Sequence, residues 1–457
     1  MVNKISGLNA AGKTISVKPK KAAEVVQKQE ETQQVPVKSC SYENVKAYQT
    51  GLNNTLSNND VRQKYNEVLT NIENRETKVL LNKLLKEGVL LNNDSNNGST
   101  VLDNLHKMFT EPRKEGLDAS KVATETLTAI DNPYSISHVI GNIPKKVQQE
   151  ILNNPKYGVR SEEELQIGNA KHKKTGNFDN DVYKTNTRIA ANMEFSLAQR
   201  HPAEFARIAE GLSSENLSVV KNIPVSVLAD TKEAAFAVLN DFKVPFENGK
   251  GNSVNVTVKP DDNAIVRARI QNSSQRDTGE RSSVDVLVQS ALMNLASNGT
   301  YNSLNDRVGH DIAPSEIGFA ERILTGRKVT EIILDDVDKS TGEIEHSCNA
   351  KTMSDIVLQT LKNGENVICG CLDFNKDSQK YEYNIQNKNN ILDTNVYTIT
   401  NASTDIETGK LKFNFYNPNN NISDKSDELP EKSLFDKDTH MHFVIVPKEI
   451  ADKFFEY

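Results

Sequence analysis

A change of hydrophobic period along the chain sets the strongest limit on its fold. In VRQKYNEVLTNIENRETKVLLNKLLKEGVLL, Val68, Ile72, Leu80, Leu84 and Leu85 recur at helical spacing, and Gly88 is the expected stop. Near the other end NVYTITNA, KLKFNFYN and MHFVIVP alternate apolar with polar residues. That is the pattern of half-buried strands. Helices come first and a mixture of helices and antiparallel strands follows, which is an α+β layout.

Within that layout residues 1–40 read as a disordered leader, polar in composition and interrupted by Pro19 and Pro36. A helical domain is expected over 41–157. There Thr100 with Asp103 resembles a capping box, and Asp118 or Ser120 can cap the next helix. The segment 158–245 is read as a polar linker followed by two helices, TNTRIAANMEFSLAQ and HPAEFARIAEGL, which belong either to it or to the C-terminal domain. Over 246–457 an α+β domain is expected. It would begin with a hairpin in which Val254, Val256 and Val258 face Val266, Ala268 and Ile270 across the turn PDDN. Helices are predicted at VDVLVQSALMNLAS, SEIGFAERILTG and MSDIVLQTLKNG.

Composition narrows the function classes. The net charge of −7 and the absence of any Lys/Arg stripe give no field for nucleic acid, and with no Trp a base-stacking platform is not expected. No apolar run reaches membrane-spanning length and no secretory signal opens the chain, so a cytoplasmic protein is expected, with export by an unrecognised route left open. Cys40, Cys348, Cys369 and Cys371 do not form a disulfide framework and read as reduced thiols. No cofactor is implied.

Two short motifs suggest chemistry. GLNAAGKT supplies Gly7, Gly12, Lys13 and Thr14 in the order of a phosphate-cradling loop, but the strand before it and the helix after it are missing. DTHMHF would set Asp438, His440 and His442 on one strand face, a donor set suited to a divalent metal. A nucleotide hydrolase and a metal-dependent hydrolase therefore stand as alternative readings, beside a non-catalytic structural or interaction protein. His346 beside Cys348, and the lone His138 and His310, read as incidental or structural.

VDVLVQSALMNLA resembles the nucleophile helix of papain-like cysteine peptidases, most closely the calpain-like branch. On that match Asp285 takes the acidic position, Val286 stands where the nucleophile would be, and Glu280 falls near the oxyanion glutamine. TNVYTITNA resembles the histidine strand, with Asn395 at the histidine position and Tyr397 matching. In KLKFNFYNPNNN, Asn417 and Pro418 match the motif that orients the histidine, while Asn419 replaces its aromatic residue. A second register places the nucleophile helix at TNTRIAANMEFSLA, with Thr187 or Arg188 at the cysteine position. Valine has no nucleophilic atom and asparagine cannot accept a proton near neutral pH. The resemblance thus implies an inactive relative, a papain-like domain of helices on an antiparallel sheet. Its vestigial cleft would bind a peptide or protein segment through strand-edge hydrogen bonds.

Overall fold

The computed structural model describes residues 58–455, except 142–144, 156–160, 162–181, 274–280, 305–311, 338–343, 347, 376–379, 383–394, 405–410, 419–426, 430–434 and 437–438. The described chain is α+β, helices first. It opens with α1 (Asn59–Asn71), α2 (Arg75–Lys86), α3 (Val101–Thr110) and α4 (Ala119–Asp131). Asn58, Asn74, Thr100 and Asp118 cap these helices with their side chains, and the Thr100–Asp103 capping box forms. The uninterrupted stripe expected from Val61 onward is in fact two helices. Asn74 Oδ1 accepts from the backbone N–H groups of Glu76 and Thr77 at 2.7 and 3.3 Å, which starts a new helix where periodicity alone shows no break. Gly88, at φ 80°, ends the pattern in the left-handed region open to glycine.

The chain continues through β1 (Val139–Gly141), α5 (Lys145–Asn153), β2 (Val182–Lys184), α6 (Arg188–Arg200) and α7 (Pro202–Ser213). Next come β3 (Val219–Pro224), α8 (Val225–Leu228), α9 (Lys232–Asp241), β4 (Phe246–Asn248), β5 (Ser253–Val258) and α10 (Ala264–Ser273). The expected hairpin is not formed: AIVRARI is α10, a helix. β5 already has partners on both edges, Ile223 of β3 opposite Val254 and Phe246 of β4 opposite Val256. Ala264 to Ala268 are buried one after another, and such a run carries no period to separate strand from helix.

Beyond α10 lie α11 (Ser283–Ala296), α12 (Pro314–Thr325), β6 (Val329–Ile333), β7 (Asp335–Val337), β8 (Ile344–His346) and α13 (Ala350–Lys362). The end of the chain is β9 (Val367–Asn375), β10 (Lys380–Glu382), β11 (Asn395–Thr404), β12 (Leu411–Tyr416), β13 (Asp427–Leu429), β14 (Phe435–Asp436), β15 (Thr439–Pro447) and α14 (Lys448–Ala451). The main sheet runs β13-β12-β11-β9-β15-β14, with β10 on β9, β6 on β15 and every pairing antiparallel. Alternation sends its side chains into two cores. Ile368, Phe443 and Ile445 join the large core of helices on one face, against α6 and α12. Val367, Cys369, Val444 and Val446 meet Met353, Ile356 and Val357 of α13 on the other. Among the described residues no helix is long and apolar enough to cross a membrane.

β15 carries a bulge between Met441 and Phe443 against β9. The ring of Phe443 then lies over Gly370, where an added Cβ would stand 2.1 Å from its Cε1. Gly370→Ala is therefore expected to lower stability by about 1–3 kcal/mol in urea titrations. Combining it with Phe443→Leu should recover part of that loss. Equal stability of Gly370→Ala and the parent would show that the ring moves freely.

Candidate functional site

The start of α6 meets the start of β11, and hydrogen bonds fix the junction. Asn192, one turn into the helix, donates from Nδ2 to the Val396 carbonyl at 3.1 Å and accepts from Thr398 Oγ1 at 2.8 Å. Phe195 stacks on Tyr416 with ring centroids 4.2 Å apart. The Tyr416 hydroxyl donates to the Ile136 carbonyl at 2.8 Å, drawing in the segment before β1. Helix, hairpin and that segment are joined at one point.

Buried side chains extend the junction to α11. Thr187 occupies the N-cap position of α6 without capping it. Its hydroxyl donates instead to Gln289 Oε1 at 2.7 Å, and Thr185 Oγ1 lies 2.6 Å behind it. Gln289 Nε2 donates to the Ser137 carbonyl at 2.7 Å and to Glu194 Oε2 at 2.9 Å. His138 Nδ1 lies 2.9 Å from the Thr185 carbonyl, an atom that only accepts, so this nitrogen carries the proton. The Arg281 backbone N–H is bonded to the Val139 carbonyl at 2.8 Å.

Three carboxyls converge on the first turn of α11. Asp285 closes a capping box with Ser282, accepting from its N–H at 2.8 Å. Glu125 accepts from the Ser283 hydroxyl and from the Val284 N–H, the latter at 3.2 Å. Glu194 faces Asp285, and its Oε1 receives no donor from the described residues. Two buried carboxyls of like charge this close disfavour both being ionised. A helix N-terminus favours negative charge, yet burial outweighs it here. Burial pushes Glu125 up to about 7 against the Ser283 hydrogen bond. It pushes Asp285 up to about 6 against the Ser282 and Ser137 donors and the Arg281 charge. Burial, reinforced by the Asp285 charge, holds Glu194 well above the ordinary carboxylate range. The cluster can hold protons near neutral pH, but it presents no free nucleophile.

The structure places the residues singled out in the sequence as follows. Val286 is fully buried in α11, which packs on α6, α7, α10 and α12. Of the two candidate nucleophile helices, α6 and not α11 packs on β11, so the second register, through Thr187 and Arg188, is the one that meets the strand. Asn395 is the first residue of β11, opposite Cys371 of β9. Asn417, half-buried, follows β12; the pairing Thr398↔Tyr416 puts it at the same end of the hairpin as Asn395. Asp285, at the acidic position of the match, is a buried member of the capping box of α11. Glu280, Asp438 and Gly7, Gly12, Lys13 and Thr14 lie outside the described residues.

The grouping of His440 with His442 rested on strict alternation, and the bulge in β15 removes it. In the backbone register His440 pairs with Leu372 and Phe443 with Gly370, which leaves His442 as the extra residue and breaks the two-residue spacing the grouping needs. No three His, Cys, Asp or Glu side chains converge as a metal site among the described residues. Burial pushes the Cys348 thiol up to about 11, far from a reactive thiolate.

Sequence reasoning missed Glu125, Glu194 and Gln289. Each sits among other polar residues of its helix, Glu125 between Thr124 and Thr126 and Gln289 beside Ser290, so no local signal marked it out. No family model, curated protein or solved structure matches this chain.

These raised carboxyls fix the sign of a pH effect. Their stabilisation is complete below the unfolded values near 4 and is lost as pH rises through about 6 to 7. Glu125 alone is expected to cost about 3 kcal/mol by pH 8 relative to pH 4.5. Urea titrations at pH 5 and pH 8 should show the parent losing stability over that interval and Glu125→Gln losing less. Identical pH slopes would contradict the placement of Glu125.

Proposed function

We propose that this chain is a catalytically inert binding protein, peptidase-like in its helix-and-hairpin centre, whose ligand is an extended peptide or a protein segment. The observation that carries the reading is the junction of α6 with β11. A cysteine peptidase needs a thiolate at the start of such a helix and a base on the facing strand. At this helix start Thr187 is buried with its hydroxyl committed to Gln289, and Asn395 begins the facing strand. A threonine hydroxyl without a base within reach does not attack an amide, and an asparagine cannot relay its proton. What this arrangement retains is hydrogen-bonding side chains. Because β11 and β12 are interior strands, a bound segment would pair with backbone groups at the edge of the sheet beyond them, at β13. The free thiols Cys348 and Cys369 suit a reducing compartment, and we place the protein in the cytoplasm on that ground.

The test is to incubate the protein with a mixed peptide library and analyse both fractions by mass spectrometry. The library is expected to stay uncleaved, with a subset of peptides co-eluting with the protein. Cleavage that Thr187→Ala abolishes, or the absence of any retained peptide, would overturn the reading.

A further inference from the structure

We propose that a pocket between α6, α12 and the main sheet binds a primary alkylammonium group, with Glu321 as its anchoring carboxylate. The cavity measures about 60 Å³ and its walls include Met193, Leu197, Leu324, Ile368 and Ile445. A water-sized probe needs about 10–15 Å³ of such space, so the pocket takes roughly four to six non-hydrogen atoms in a row. Its mouth reaches solvent at Arg327 and Glu365, which pair with each other at 2.6 Å.

Glu321 lines this apolar space while only 8% exposed, and its Oε1 has no hydrogen-bond partner among the described residues. The other buried carboxylates each receive at least one donor: Glu194 from Gln289, Glu204 from Arg207, Glu210 from Arg113 and Asp285 from Ser282. A buried acceptor left without a donor is costly, and a ligand that supplies one recovers that cost.

The surroundings favour an ammonium as that donor. The pocket lies at the C-terminal turn of α12, where helix carbonyls attract cations. One ammonium is already held there, since Lys221 Nζ donates to the Leu324 carbonyl at 2.6 Å and is paired with Glu204. Lys221 makes its contacts to Glu204 and the Leu324 carbonyl and reaches Glu321 only as a charge at a distance, and the positive charge of Arg327 is met by Glu365. Arg200 donates to Asn366 Oδ1 at 2.7 and 2.9 Å. Among the described residues no set of three metal ligands converges here, whereas an alkyl stem matches the apolar walls. An anionic ligand would face Glu321 directly.

Burial, and then the Glu365 charge, push Glu321 up to about 8, so the empty pocket holds a protonated carboxyl at neutral pH. Binding of the ammonium form expels that proton to solvent and leaves an ion pair. This pocket is separate from the Thr187 junction and does not rest on the inert-peptidase reading.

The experiment titrates the full chain with n-butylammonium by calorimetry at pH 8, with 1-butanol as the uncharged control and Nα-acetyl-lysine methylamide as a second amine. Butylammonium should bind with proton release, seen as heats that change with buffer ionisation enthalpy, and 1-butanol should not bind. Glu321→Gln should weaken binding at least tenfold and abolish proton release. Glu321→Asp, which keeps the charge on a shorter stem, should retain weakened binding with proton release. Binding of the lysine derivative as tightly as butylammonium identifies a protein side chain as the source, and preference for butylammonium a free amine. Either result supports the site. Equal binding by the parent and Glu321→Gln, or no butylammonium binding by the parent, would overturn it.

Discussion

The rest of the fold hangs on the first turn of α11. Every residue from Ser283 to Met293 is buried, so the N–H groups that begin this helix have no water to bond with. They must be met by side chains: Ser282 Oγ accepts from the Asp285 N–H and Glu125 from the Val284 N–H, while the Asp285 carboxylate closes the capping box on the Ser282 N–H. A carboxylate brought into the interior loses its hydration, which here is offset by serine hydroxyls, backbone donors and retained protons. The network then runs outward from α11. Gln289 ties it to Thr187 at the start of α6, Asn192 ties α6 to β11, and Tyr416 ties the hairpin to Ile136. The polar chain sets the depth and angle at which two helices and a sheet meet, a role that non-directional apolar packing does not fill.

Apolar period and cap chemistry are local, and where they governed structure the sequence could be read. The strands at 395–404, 411–416 and 439–447 follow from alternation, and the caps at Thr100 and Asp118 follow from residue type. The failures were non-local. AIVRARI looks like a strand until β3 and β4 are seen to occupy both edges of β5. The grouping of His440 with His442 holds only if β15 is regular, and the bulge depends on Phe443 finding Gly370 on another strand. Val286 matched a nucleophile position by pattern, yet of the two candidate helices it is α6 that packs on the strand. Asp285, Thr187, Asn395 and Asn417 were all flagged and lie on α11, α6 and the hairpin that the network joins. Glu125, Glu194 and Gln289 were not, because their meaning depends on partners more than 60 residues away in the sequence.

Buried charge recurs on the far side of α7, handled differently. Arg207 and Lys221 surround Glu204, and burial with these cations leaves Glu204 near 2 and Lys221 near 8. That cluster is satisfied by opposite charges, while the carboxyls at α11 rely on protons. Glu321 also keeps its proton, but its Oε1 receives no hydrogen bond within the described chain, whereas the carboxyls of both groups each accept at least one.

β9 and β15 belong to both cores at once. Neighbouring residues such as Ile368 and Val367, or Phe443 and Val444, point into opposite interiors. Neither interior can come apart without stripping one side of the same two strands, and a strand bare on one face has lost much of what holds it in register. The large helical body and the small core under α13 are thereby coupled mechanically. Loss of α13 would be felt through the sheet at α6, and hydrogen exchange along β9 and β15 would follow whichever core opens first.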